Sequence, residues 1–214
     1  MIASIIIVAC AAFVSALLFA EHRGAQYLQW LFKPAASAAF VALALYGGAL
    51  GTDYGRLILA GLVLCVAGDI FLIAKAKTAF LAGMGAFALG HLAYTAAFFT
   101  IGAPPTMAVA ISALVVSGLV LRILHWLWPH LGAFRYPVAL YCLIISAMVI
   151  ASFSAQNPIG GAPYWLVVCG AVGFAVSDIS VARDQFVKQE FFNRLWGLPL
   201  YYAAQIALAA SVSL

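Results

Sequence analysis

Long apolar runs, each interrupted by a short charged or Pro/Gly-rich stretch, give this chain its rhythm. A membrane-crossing helix needs about 20 mostly apolar residues. The breaks define eight runs of that kind: 2–20, 33–50, 56–74, 79–100, 106–127, 135–154, 163–182 and 194–213. Barrel strands would instead show about ten residues of alternating pattern, so run length predicts helices. The fold class is all-α, a polytopic membrane protein with eight transmembrane helices in one integral membrane domain over 1–214. The fifth run ends in His125-Trp126-Leu127-Trp128-Pro129, which has the character of an interface.

Composition agrees with the pattern. With 67% hydrophobic and 7% charged residues, 214 residues cannot supply the polar surface of a water-soluble domain. The first run follows Met1-Ile2-Ala3-Ser4 with no basic leader, so it reads as a retained span rather than a cleaved signal. Cys10, Cys65, Cys142 and Cys169 stand singly within apolar runs, the pattern of buried thiols and not of a metal site or redox pair. The chain contains no P-loop, no dinucleotide fingerprint, no zinc-protease helix, no Gly-x-Ser-x-Gly elbow and no basic nucleic-acid patch.

Charge adds sidedness. The first, third, fifth and seventh connections hold Arg23 and Lys33, Lys75 and Lys77, Arg122 and Arg135, and Arg183, Lys188 and Arg194; the even connections hold Arg56 alone. Nine basic residues against one place the odd connections in the cytoplasm and both termini on the non-cytoplasmic side. A bacterial inner (plasma) membrane is the expected location.

Against this background the intramembrane polar residues stand out, because an ionisable group in a span is costly and is kept where it meets a cavity, partner or substrate. Asp69 lies about 9 Å in from Lys75 and Asp178 about 7.5 Å in from Arg183, so the two acids share a depth in the cytoplasmic half. Tyr201 and Tyr202, about 10 Å in from Arg194, reach the same layer, while Glu21 and Lys33 are expected to form the cytoplasmic rim. Asp69-Ile70-x-Leu72 and Asp178-Ile179-x-Val181 echo one another, as do Lys33-Pro34 and Arg135-Tyr136-Pro137, which suggests two four-helix halves.

Each candidate has a plainer reading. His91 shares a face of the fourth span with Phe87, Tyr94 and Phe98, beside a stripe of Gly83, Ala86, Gly90, Ala93 and Ala97. It sits about 7 Å deeper than the acids and serves equally as an interhelical hydrogen bond. Tyr201 and Tyr202 suit an interfacial aromatic belt, Gln205 a structural bond, and Lys33-Pro34 a snorkelling residue at a helix start. Two carboxyl groups in one water-poor pocket push each other's protonation apart, which is what an acid and a carboxylate partner require.

Lys33-Pro34, Gly68-Asp69, Gly83-x-x-x-Phe87-x-x-x-His91-x-x-Tyr94, Ser177-Asp178, Phe186 and Pro199-x-Tyr201-Tyr202-x-x-Gln205 follow in an order that resembles the YhhN family, whose animal members are lysoplasmalogenases. The match runs from the second span to the last. The resemblance implies hydrolysis of the vinyl-ether bond of a lysoplasmalogen to a fatty aldehyde and a glycerophospho-alcohol, with Asp69 and Asp178 as the catalytic pair. Lys33, His91, Tyr94, Tyr201, Tyr202 and Gln205 then become substrate-binding candidates, and Lys33, Lys75 or Arg183 a partner for the phosphate. The implied partners are a lysophospholipid and the membrane lipid, with no nucleic acid. The chemistry calls for no metal or cofactor: one carboxylic acid protonates carbon and a carboxylate steadies the cation. A proton-coupled transporter or a lipid-binding protein is the alternative that paired membrane acids leave open.

Overall fold

The computed structural model describes residues 1–74, 76–102, 107–155 and 161–213. Its regular elements are all helical among the described residues: α1 (Ile2–Arg23), α2 (Gln26–Tyr46), α3 (Asp53–Ile73), α4 (Lys77–Thr100), α5 (Met107–Leu127), α6 (Arg135–Ser152), α7 (Gly161–Ala182) and α8 (Phe191–Ala210). Among the described residues, eight helices are long and apolar enough to cross a membrane. The chain is an integral membrane protein.

Local chemistry sets the boundaries. Gly24 takes the left-handed conformation (φ 64°) and returns its N–H to the last turn of α1, so α1 and α2 are joined by a two-residue corner, Gly24-Ala25. The helix start expected at Lys33-Pro34 is therefore corrected: α2 begins at Gln26, and Pro34 lies inside it. Gln26, Tyr27, Gln29 and Trp30 look like a connection by hydropathy, yet they form the first turns of α2. Thr52 caps α3, its Oγ1 accepting from Gly55 N–H at 3.0 Å, with Asp53 suited to the positive end of the helix dipole. Beyond α7 the chain makes a π-helical turn, Arg183–Val187, before α8.

Helices α1, α2, α3 and α4 pack in chain order, α4 then meets α6, α6 meets α7, and α7 meets α8, which closes against α1 and α2. Helix α5 rests on α6, outside this ring. The packing repeats with a step of four helices: α3–α4 is matched by α7–α8, and α4–α6 by α8–α2. The match fails at α5, which stands off from α4 where α1 holds α8. Asp69 and Asp178 occupy equivalent places, each four residues before the last residue of its helix (73 − 69 and 182 − 178).

Small residues make the α3–α4 seam. A Cβ on Gly68 would lie 2.8 Å from the Phe87 ring, one on Gly90 would lie 3.0 Å from Cys65 Sγ, and one on Gly61 would collide with the Tyr94 ring. In lipid, where hydrophobic burial does not drive helices together, such close backbone approach supplies the packing. It also carries the ring-bearing face of α4 (Phe87, His91, Tyr94 and Phe98, all buried) into the bundle interior.

Candidate active site

Asp69 projects from α3 into a shell made wholly of donors. Lys33 Nζ lies 3.4 Å from Oδ1, and Ser37 Oγ and Tyr201 Oη donate to Oδ2 at 2.7 and 2.8 Å. Ser37 also lies 3.0 Å from the Lys33 carbonyl, but its single proton goes to the shorter carboxylate bond. Tyr202 Oη then donates to that carbonyl at 3.2 Å. The side chains of Lys33 and Asp69 are 4% and 3% exposed, so Lys33 is not a rim residue free to meet a phosphate. It sits two turns into α2, committed to Asp69.

Asp178 on α7 has different company. Tyr141 Oη of α6 donates to its Oδ2 at 3.0 Å, and His91 Nε2 lies 3.3 Å from the same oxygen. Among the described residues no group is bonded to Oδ1. His91 Nδ1 is 2.6 Å from the Phe87 carbonyl, which can only accept, so Nδ1 carries a proton. Nε2 stands close to Asp178 but off the line of a directed hydrogen bond. The contact overrides the depth difference read from residue counts. Side chains lean toward the N-terminus of their helix, and α4 and α7 run oppositely, so His91 and Asp178 lean toward each other.

Phe174 of α7 stands between the two acids' surroundings. Its ring centroid lies 4.3 Å from His91, 5.4 Å from Tyr201 and 6.0 Å from Phe87, and the side chain is fully buried. Tyr94 and Gln205 belong to another cluster: Tyr94 Oη donates to Gln205 Oε1 at 2.7 Å and approaches Cys65 Sγ at 3.8 Å, while Gln205 Nε2 has no hydrogen-bond partner among the described residues. Neither residue lines the cavity that the acids share, nor do His91 and Tyr202.

That cavity, of about 1190 Å³, is bounded by Lys33, Asp69, Tyr141, Asp178 and Tyr201 at its polar end. Away from them it becomes an apolar trough floored by Cys142, Ile145 and Val149 of α6 and walled by α5 and α7. Val115 and Leu119 on one wall, and Val172 and Val176 on the other, are exposed, so the trough is open sideways between α5 and α7. From Tyr141 to Val149 it runs about 12 Å, most of the roughly 15 Å of one hydrocarbon leaflet.

The mouth beside the acids is tied by charge. Arg194 donates to Asp184 Oδ2 through Nε at 3.2 Å and Nη2 at 2.8 Å, and its Nη1 lies 3.7 Å from Glu21. Arg183 is taken up by Asn193 and Glu190, so it too is engaged within the protein. Lys188 bonds Glu190 and, with Arg183, holds that carboxyl below the usual carboxylate range. Lys77 lines the cavity with its ammonium 5.1 Å from the Phe134 ring centroid. Lys75 lies outside the described residues. No three His, Cys, Asp or Glu side chains group closely enough to hold a metal among the described residues.

The YhhN family model matches residues 28–212, which include both acids and every element that touches them. The chain belongs to the YhhN family. It is 34% identical over 158 residues to "Lysoplasmalogenase TMEM86A" of Bos taurus, covering 72% of this chain and 64% of that protein. To "Lysoplasmalogenase" of Mycobacterium bovis it is 33% identical over 201 residues, 89% of this chain and 72% of the relative. Human "Lysoplasmalogenase TMEM86A" is 29% identical over 186 residues, covering 85% and 72%. This YhhN chain thus spans between about two thirds and three quarters of the length of these relatives. No solved structure matches it.

Three residues of this YhhN site escape the sequence pattern. Ser37 is hidden among alanines, although it lies four residues after Lys33 on the same face. Tyr141 is six residues in from Arg135, about 9 Å by helical rise, so the depth count that pairs the acids would have found it. Phe174 offered no signal, because a phenylalanine in an apolar span is ordinary.

Proposed function

We propose that this YhhN-family chain hydrolyses the vinyl-ether bond of lysoplasmalogens within the membrane, releasing a fatty aldehyde and a glycerophospho-alcohol, with Asp69 and Asp178 as the reacting carboxyl groups. The observation that carries it is that two acids with opposite kinds of neighbour line one cavity, which continues as a chain-length trough open to lipid. The names of the relatives support the substrate class.

The alkenyl chain lies along α6, and the glycerophospho end stays at the mouth beside Glu21, Lys77 and Arg194. A carboxylic acid gives its proton to the alkene carbon remote from oxygen, and the carbon bonded to oxygen becomes an oxocarbenium ion. The partner carboxylate stabilises that cation and steers water to it, as acid pairs do in glycoside hydrolysis. Water adds, its proton returns to the carboxylate that gave one up, and the resulting hemiacetal collapses to aldehyde and alcohol. The orientation that accompanies this reading puts the mouth on the cytoplasmic side and both termini on the other.

Purified full-length protein supplied with lysoplasmalogen in detergent is the test, read as aldehyde release. Asp69→Asn and Asp178→Asn are each expected to lower turnover by about 10²–10⁴-fold, the range for a removed acid or base. Wild-type turnover in either folded variant would remove that acid from the chemistry, and no aldehyde from the wild type would end the proposal.

A further inference from the structure

The two acids are unlike in what surrounds them, and the difference divides their labour. Every group bonded to Asp69 donates: the Lys33 ammonium and the Ser37 and Tyr201 hydroxyls. Donors bind the ionised form of a carboxyl group and favour it. Asp178 instead faces a ring nitrogen. Because His91 Nδ1 holds a proton against the Phe87 carbonyl, the approach of Nε2 to Asp178 Oδ2 is favourable only with a further proton on one of the two groups, as imidazole and carboxylic acid or as imidazolium and carboxylate. Either form stores one transferable proton. His91 is fully buried and does not reach the cavity, whereas Asp178 lines it and has Oδ1 unengaged among the described residues. Misalignment of Nε2 is no objection, since such bonds are often loose before substrate arrives.

We infer that Asp178 is the proton donor of this site, that His91 is the positioning residue that keeps the proton on the pair, and that Asp69 is the standing carboxylate. The inference rests on the proposed vinyl-ether hydrolysis and adds His91 and Tyr141 to its machinery. In the forward step the pair's proton passes through Asp178 to the alkene carbon, leaving neutral imidazole beside a carboxylate that Tyr141 holds by its hydroxyl. Water attack on the cation returns one proton to Asp178, and the pair is restored with atoms and charge balanced.

The test is the pH profile of kcat/KM for the full-length protein with a lysoplasmalogen. Groups close enough to bear on it are Cys65 and Asp69 on α3, Tyr94 on α4, Tyr141 and Cys142 on α6, and Tyr201 on α8, with Lys33 of α2 behind Asp69. Loss of the pair's proton sets the alkaline limb. His91→Gln removes the base that retains it, so the limb moves to lower pH by about one unit or more and kcat falls about tenfold or more. Tyr141→Phe removes a donor to the carboxylate, so the limb moves the other way, and this isosteric change preserves packing should the histidine variant fail to fold. Opposite displacements are the expected result. A folded His91→Gln protein with the wild-type limb and kcat, or a Tyr141→Phe limb that stays in place, overturns the assignment while aldehyde release by the wild type leaves the proposed function standing. Absence of wild-type turnover would sink the proposed function first.

Discussion

Lys33 on α2 and Asp69 on α3 form an ion pair of 3.4 Å from which the surroundings are almost wholly excluded, with 4% and 3% of their side chains exposed. Two charges taken into a low-dielectric interior are tolerable only together, and hydroxyls from Ser37 and Tyr201 complete the carboxylate's bonding.

Breaking this pair from one side leaves an uncompensated buried charge. Lys33→Met is expected to destabilise the protein by about 3–5 kcal/mol, whereas the double variant Lys33→Met/Asp69→Leu loses less than the sum of the single changes. Chemical unfolding in detergent micelles measures both, and simple additivity would show that the pair is not coupled. The double variant is also expected to be inactive, which separates folding from chemistry.

The trough makes a prediction about the lipid chain. Ile145 is on its floor, four residues beyond Tyr141 and four short of Val149. Ile145→Trp should fill the space that a chain occupies beyond the reacting bond. Its effect should therefore grow with substrate length, with long-chain lysoplasmalogens losing most of their kcat/KM and short-chain analogues little. A uniform loss across chain lengths, measured as aldehyde release, would place the chain elsewhere.

Sidedness follows from charge. With Lys33 placed inside α2, the eight basic residues that remain at the odd connections, against Arg56 alone at the even ones, predict that a reporter joined to the C-terminal end reports the non-cytoplasmic side. Cytoplasmic behaviour of that fusion would invert the molecule and put the mouth bounded by Glu21 and Arg194 on the opposite face.

Several features were legible along the chain because they depend on one dimension only. Run length and hydropathy mark the helices, with seven of eight starts within three residues of their observed positions. The failure, at α2, has a physical cause. Pro34 reads as a first-turn residue, yet a proline is tolerated within a membrane helix, and the carbonyl it leaves without a helical N–H is that of Trp30, in the first turns of α2. Moving the helix start moved Lys33 from the rim to the interior, and the residue's meaning changed with it.

The amino-acid sequence by itself determined that the chain is a bundle of membrane helices, and that two acids lie at one depth. Apolar run length and residue rise fix those properties before any helix meets another. Only the tertiary structure decided that Lys33 belongs to Asp69, that His91 and Tyr141 belong to Asp178, and that Tyr94 and Gln205 stand apart from the shared cavity. Depth along a helix is a count, but the direction a side chain takes around it depends on which neighbours pack where. In this protein glycine seams, the lean of antiparallel helices and the displaced α5 make that choice.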